Sequence, residues 1–311
     1  MSNLTAVAYF AGIPPSNSNP EKPLILNNFL EGVRAAGDNA VAHRTFDVIT
    51  HADVALIQGF VHEHGKTAPH LVLRRTAIDE QKRRSKRSLI VDSNLFLYAD
   101  PGNTKTYLRY SFDGVFPTTG FYFDKDVDPS RWQKISANLG LNLKPYRTIG
   151  SHIVVCCQRQ GGWSMKGLSV IDWLRQTIAT IRSISDRPIV IRVHPGDKKW
   201  QRWFDANILR QYPNVTLSQK HIREDLRNAW ASVVYNSSPS IASVIEGVPT
   251  FVTDPKPEIS QSFGVCNTNL GQLENPELHE RQAWIEKLSM CHWNFDELKS
   301  GEAWSFFRQY I

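Results

Sequence analysis

Several runs of β-branched and small residues end in groups suited to holding an anion. Ile189–Val193 leads into His194-Pro195-Gly196, where proline ends the strand and leaves an imidazole at its tip. That imidazole can donate to a phosphoryl or sugar oxygen. Ala231–Tyr235 leads into Asn236-Ser237-Ser238-Pro239-Ser240, which opens a helix. One cap needs one side chain, so this cluster suits a diphosphate at the helix start as well as a cap. Ile153–Cys157 leads into Gln158-Arg159-Gln160-Gly161-Gly162-Trp163-Ser164. Its glycines are either plain turn residues or let backbone amides approach a phosphate, with Arg159 adding a bidentate contact. Asp254, after Thr250–Thr253, either reaches the same crevice or starts a turn with Pro255. With no Walker or GxGxxG pattern, the sequence gives no ground for a P-loop ATPase or a dehydrogenase.

The first half carries the complementary chemistry. Lys82, Arg83, Arg84, Lys86 and Arg87 put five basic residues into the seven of Gln81–Arg87, with Arg74, Arg75 and Lys66 shortly before and Arg109 later. Such a cluster suits nucleic-acid phosphates, an anionic lipid surface, or simply a solvated helix face. Asp92, at the end of the strand Ser88–Val91, is the first candidate for a general base, Asp113 the second, and the His62–His64 pair around Glu63 the third. Two histidines at that spacing without a third ligand nearby give no metal site.

Positioning these residues requires an α/β chain. Short apolar runs at Ala6–Phe10, Asp53–Gln58, Leu71–Leu73 and Leu89–Val91 read as strands, and Lys22–Ala36 as a helix. Asp100–Ser111 reads as a long loop, and Asp124–Tyr146 as the exit from the first domain. The second half is a βαβα series, the doubly wound pattern, including a helix over Lys199–Tyr212. The tail from Pro276 reads helical, and Trp284, Trp293 and Trp304 anchor it. The predicted division is 1–148, with 292–311 packing back on it, and 149–291. The chain has 311 residues, suiting two domains, and a formal charge of +6 that favours an anionic partner without choosing one. It has no run of 18 apolar residues and no secretory leader, and its four cysteines are too scattered for a disulfide scaffold. These features point to a reducing, cytoplasmic setting without stable membrane insertion.

A strand ending in His194-Pro195, a strand ending in Asn236-Ser237-Ser238 and a helix closing in Gly247-Val248-Pro249 resemble the nucleotide-sugar half of GT-B glycosyltransferases of the capsule and Kdo type. The resemblance implies two Rossmann-like domains facing a cleft, a C-terminal helix crossing back, and donor contacts from His194, Asn236, Ser237 and Ser238. Many GT-B enzymes carry a ribose-binding Glu six residues before that glycine; here the position is Ile241. The segments Arg109–Pro117, Cys291–Phe295 and Gly301–Trp304 resemble bacteriophage-encoded glucosyl- or arabinosyltransferases of hydroxymethylated DNA bases. That implies a UDP-sugar as co-substrate, no further cofactor or metal, 5-hydroxymethylcytosine in duplex phage DNA as acceptor, protection from host nucleases, and the host cytoplasm as location. The alternatives are a capsule- or lipopolysaccharide-type transferase at a membrane surface and a non-enzymatic DNA-binding module.

Overall fold

The computed structural model describes residues 3–13, 22–59, 67–99, 107–121, 123, 127–197, 204 and 208–311. The chain divides into unit 1, Met1–Asp128 with Lys287–Ile311, and unit 2, Pro129–Glu286. Residues 129–148, placed by sequence in the first domain, therefore go with unit 2.

Unit 1 contains β1 (Thr5–Tyr9), α1 (Lys22–Ala35), β2 (Asn39–His43), β3 (Val54–Gln58), α2 (Pro69–Arg83), β4 (Arg87–Asp92), β5 (Leu108–Phe112) and α3 (Pro117–Gly120). Its sheet order is β5-β4-β3-β1-β2, with a strand of the tail, β11 (His292–Trp293), beyond β5. Strands β2, β1, β3 and β4 run parallel, whereas β5 runs antiparallel to β4. Ala6, Val7, Ala8, Val54, Leu56 and Leu89 are fully buried, as expected of strands covered on both faces. The tail adds β11 (His292–Trp293), antiparallel to β5, then α9 (Phe295–Lys299) and α10 (Glu302–Phe307). Asn294 and Glu297 form a capping box that starts α9. Trp304 is fully buried, meets Phe29 edge to face at 5.8 Å, and donates from its indole to Asp38 Oδ2 at 2.7 Å. The tail thus completes the core of unit 1.

Three expectations change. Leu71–Leu73 lies inside α2, because its buried residues Leu73, Ala77 and Gln81 recur at helical spacing. The expected loop through Ser111 ends in β5, whose five residues are all buried. The tail is not wholly helical, since His292 and Trp293 join the sheet.

Unit 2 contains α4 (Ser130–Leu139), β6 (His152–Cys156), α5 (Val170–Arg182), β7 (Ile189–Arg192), β8 (Val215–Ser218), α6 (Ile222–Leu226), β9 (Ala229–Val234), α7 (Pro239–Ile245) and β10 (Thr250–Val252). Helix α8 (Gln282–Met290) follows and runs across the division between the units. Most of the helix expected over Lys199–Tyr212 lies outside the described residues. The sheet order is β10-β9-β6-β7-β8, with every pairing parallel. Helix α5 is capped by Ser169, which accepts from the Asp172 amide, and it buries Ile171, Leu174, Ile178 and Ile181 against the sheet. The chain winds from β6 to β7 and β8 on one side and returns through β9 and β10 on the other. Open sheets take ligands where that winding reverses, which here is beyond the carboxyl ends of β6 and β9. In unit 1 the same reversal falls between β1 and β3.

Candidate functional site

The residues after β6, β9 and β10 form one hydrogen-bonded network in unit 2. Gln158 Nε2 donates to Asn236 Oδ1 at 2.7 Å and to Ser164 Oγ at 2.5 Å. Asn236 Nδ2 donates to Asp254 Oδ2 at 2.6 Å and to the Ser164 carbonyl at 3.2 Å. The Asp254 side chain is fully buried; it also accepts from the Lys256 amide at 2.9 Å and pairs with Lys166 at 3.4 Å. Both sequence readings of Asp254 therefore hold: it shapes the turn and enters the crevice. Lys166 and Ser164 belong to this network, and only the strand-end position of Asp254 hinted at it.

On the other side of β6, Asp197 accepts from the Gln160 amide at 2.6 Å and lies 3.9 Å from Arg159 Nε. The Gly196 amide donates to His194 Nδ1 at 3.0 Å. That bond sets the tautomer, so Nε2 carries the proton and is the free donor. Burial lowers the pKa of His194; Asp197 opposes this and Arg159 reinforces it. The imidazole is neutral at physiological pH. Strands β7 and β9 flank β6 directly, so their ends stand about 10 Å apart, a span one diphosphate can bridge.

The small residues after β9 are not used up as caps. Ser238 precedes α7 but makes no side-chain cap, and the buried hydroxyls of Ser237 and Ser240 have no partner among the described residues. Asn236 is the reverse case: it is buried and its hydrogen bonds are taken by neighbours. Pro195 sits in the turn closed by the Asp197 amide on the His194 carbonyl. Gly161 and Gly162 open only a single 3-10 turn, Trp163–Met165, and not α5. The Gly162 amide returns to the Arg159 carbonyl at 3.0 Å, and α5 starts only at Val170. Ile241 is fully buried, so no ribose contact comes from that position.

In unit 1, Asp92 lies at the carboxyl end of β4 as expected. Its Oδ2 is 3.1 Å from Arg109 Nη2, and its Oδ1 accepts from the Ser93 amide at 2.7 Å. Asp113 lies at the other end of the sheet. Because β5 is antiparallel, it faces the start of β4, accepting from the Ser88 amide at 2.7 Å and pairing with Arg87 at 3.0 Å. The two candidate bases cannot serve one reaction centre.

The basic run is not a single patch. Arg83 pairs with Glu80 at 2.7 Å, Lys86 with Asp53 at 2.9 Å, and Arg84 donates to the Ala52 carbonyl at 2.9 Å. These groups and Arg87 sit at the amino end of β4, away from the crevice. Arg109 is only 3% exposed and donates to the Val115 carbonyl, so it touches no external phosphate. Lys82 is exposed and Arg75 half-buried. Arg74 stands apart, near the carboxyl end of β3, where Nη1 is 3.2 Å from the place a Gly59 Cβ would take. Lys66, His62 and His64 lie outside the described residues. Among the described residues no three His, Cys, Asp or Glu side chains gather as a metal site, and no helix is long and apolar enough to cross a membrane.

No protein-family model matches the chain, and no curated protein is similar to it. Solved structures do share its architecture. The KpsC β-Kdo 2,4 transferase of Thermosulfurimonas dismutans matches with a TM-score of 0.54 at 11% identity, over 94% of this chain and 92% of that one. The β-Kdo 2,7 transferase of the same organism matches with a TM-score of 0.54 at 12% identity, over 93% and 91%. The chain has the GT-B fold. A Methanocaldococcus jannaschii UDP-GlcNAc 2-epimerase covers both chains fully at 12% identity, but its TM-score of 0.40 is too loose to bear on this chain's chemistry.

Proposed function

We propose that the chain is a glycosyltransferase drawing its sugar from a nucleotide sugar held in unit 2. The supporting observation is the pair of donors with no partner among the described residues at the β6–β9 reversal, the Nε2–H of His194 and the Ser237 hydroxyl, with the exposed Arg159, paired to Asp197, beside β6. Donors placed around a diphosphate stabilise the charge that develops as it leaves. In an inverting transfer the acceptor oxygen bonds the anomeric carbon and the carbon–oxygen bond to phosphate breaks. The electron pair departs with the nucleotide, and the acceptor proton passes to a base. Asp92 is the base in this reading, since it lies at the carboxyl ends of the parallel strands, whereas Asp113, at the end of antiparallel β5, lies beside their amino ends. The donor is a UDP-linked hexose or pentose, used as a co-substrate without a further cofactor.

The acceptor in this reading is the hydroxymethyl group of 5-hydroxymethylcytosine in phage DNA; its support is sequence resemblance. The Kdo transferases that share the fold over nearly the whole chain favour a second reading, a glycan hydroxyl.

A thermal-shift series with UDP, CMP, GDP and ADP tests the donor site, because a ligand at 100 times its Kd adds about 2.7 kcal/mol to stability. UDP is expected to raise Tm, and Ser237→Ala or His194→Ala to abolish the rise. No response to any nucleotide sinks the proposal. With the donor known, a mass increase on a hydroxymethylated duplex, lost in Asp92→Asn, supports the DNA acceptor. Transfer only to a glycan supports the second reading. Because Asp92 also holds Arg109, UDP binding by the same variant serves as its folding control.

A further inference from the structure

The unit 1 sheet has its own winding reversal, between β1 and β3, and the residues over it have no role so far. Chain turns close both strands there: Gly12, with φ 77°, and Gly59, with φ 87°, take backbone conformations that side chains disfavour. Helix α2 packs straight onto these turns. A Cβ on Gly12 would fall 2.2 Å from His70 Cβ, and one on Gly59 would fall 3.2 Å from Arg74 Nη1. Residues larger than glycine would fill the space in front of both side chains.

Arg74 is half-buried, yet among the described residues it has no ion pair or hydrogen bond. Burial lowers its pKa, and no carboxylate among the described residues is paired with it. The carboxylate on the adjoining strand, Asp92, is held by Arg109. His70 is neutralised first by burial and then by the charge of Arg74. A guanidinium with no counter-ion among the described residues and an imidazole one helical turn before it thus stand together over the turns where open sheets of this winding take ligands. A buried cation without a counter-ion costs stability, so the fold is carrying a charge that a ligand would complete.

We propose that the β1–β3 crevice of unit 1 is a phosphate site, with Arg74 as its bidentate anchor and His70 as a second donor. An Arg fork matches two oxygens of one phosphate group, and the glycine turns let the group approach the backbone. The site itself stands apart from the transferase reading. Only its use, holding a phosphate-bearing acceptor on the same sheet end as Asp92, rests on that reading.

The test uses the full chain with His194→Ala, which silences phosphate binding in unit 2. Inorganic phosphate is expected to raise Tm and to move the His70 imidazole resonances and their titration midpoint upward. Arg74→Met should weaken phosphate binding about tenfold or more and leave His70 unmoved. Its Tm without phosphate should equal or exceed that of the parent, because an uncompensated charge is gone. Arg74→Lys keeps the charge without the fork and should bind weakly. A nucleoside monophosphate and a short duplex then identify the source: the tighter binder names it, and either supports the site. The proposal is overturned if phosphate leaves His70 unmoved, if Arg74→Met binds phosphate as well as the parent, or if acetate binds and phosphate does not. Failure here, with UDP still raising the Tm of the chain that retains His194, would leave the donor reading intact.

Discussion

His194 illustrates how one hydrogen bond sets a residue's chemistry. With Nδ1 accepting from Gly196, its proton sits on Nε2, and burial keeps the ring neutral. A bound diphosphate favours the imidazolium, so binding should raise the midpoint from below the ordinary value of about 6.5. Nucleotide affinity is therefore expected to increase as pH falls through that interval, with proton uptake measurable by calorimetry in buffers of different ionisation enthalpy. In the free protein the sign is opposite: a depressed imidazole binds fewer protons folded than unfolded, so acid below about pH 6.5 lowers stability. Pairing decides the charged residues as well. Lys86→Gln removes a partner of Asp53 at the amino end of the sheet. It should lower stability slightly, by about 0–1 kcal/mol, and leave the salt dependence of any DNA binding unchanged. A reduced salt slope would restore the basic run as a phosphate-contact surface.

At the scale of elements, the tail is held by a clasp. Asp38 accepts from the Trp304 indole at 2.7 Å and from Arg308 Nε at 2.6 Å, and its Oδ1 accepts from the Leu4 amide at 2.9 Å. Burial raises this carboxyl, but Arg308 and the two N–H donors outweigh it, and its pKa lies below the ordinary value. The clasp thus contributes stability that is fully present above about pH 4 and is lost as pH falls through the lower folded value. Asp38→Asn is expected to flatten the acid limb of a Tm-against-pH curve, and an unchanged limb would remove this role. Trp304→Ala should cost about 3–5 kcal/mol in denaturant unfolding, since it empties a fully buried site. A loss below about 1 kcal/mol would mean that the tail is only loosely attached.

For the molecule as a whole, the two sheets differ in their demands. That of unit 2 is wholly parallel and that of unit 1 is closed on one side by antiparallel β5 and β11. The four cysteines are all free and buried within these cores. Burial pushes Cys156 up to about 12 and Cys266 up to about 11, and drives Cys157 and Cys291 higher still. Native protein at pH 8 should therefore resist a thiol reagent, while denaturant releases all four thiols. Rapid native labelling would show that a core opens without global unfolding.

Local sequence determined the α/β class, the strand-end groups of unit 2 and the anchoring role of the tail aromatics. Short-range periodicity and breaker residues carry that information. Tertiary structure decided which charges share an end of a sheet. Asp113 and Asp92 look equivalent along the chain, yet antiparallel β5 sends them to opposite edges. Arg74 looks like one more residue of a basic run, yet most of a fifteen-residue helix separates it from Arg84–Arg87. Strand order and sense are set by contacts far apart in sequence, so periodicity cannot encode them.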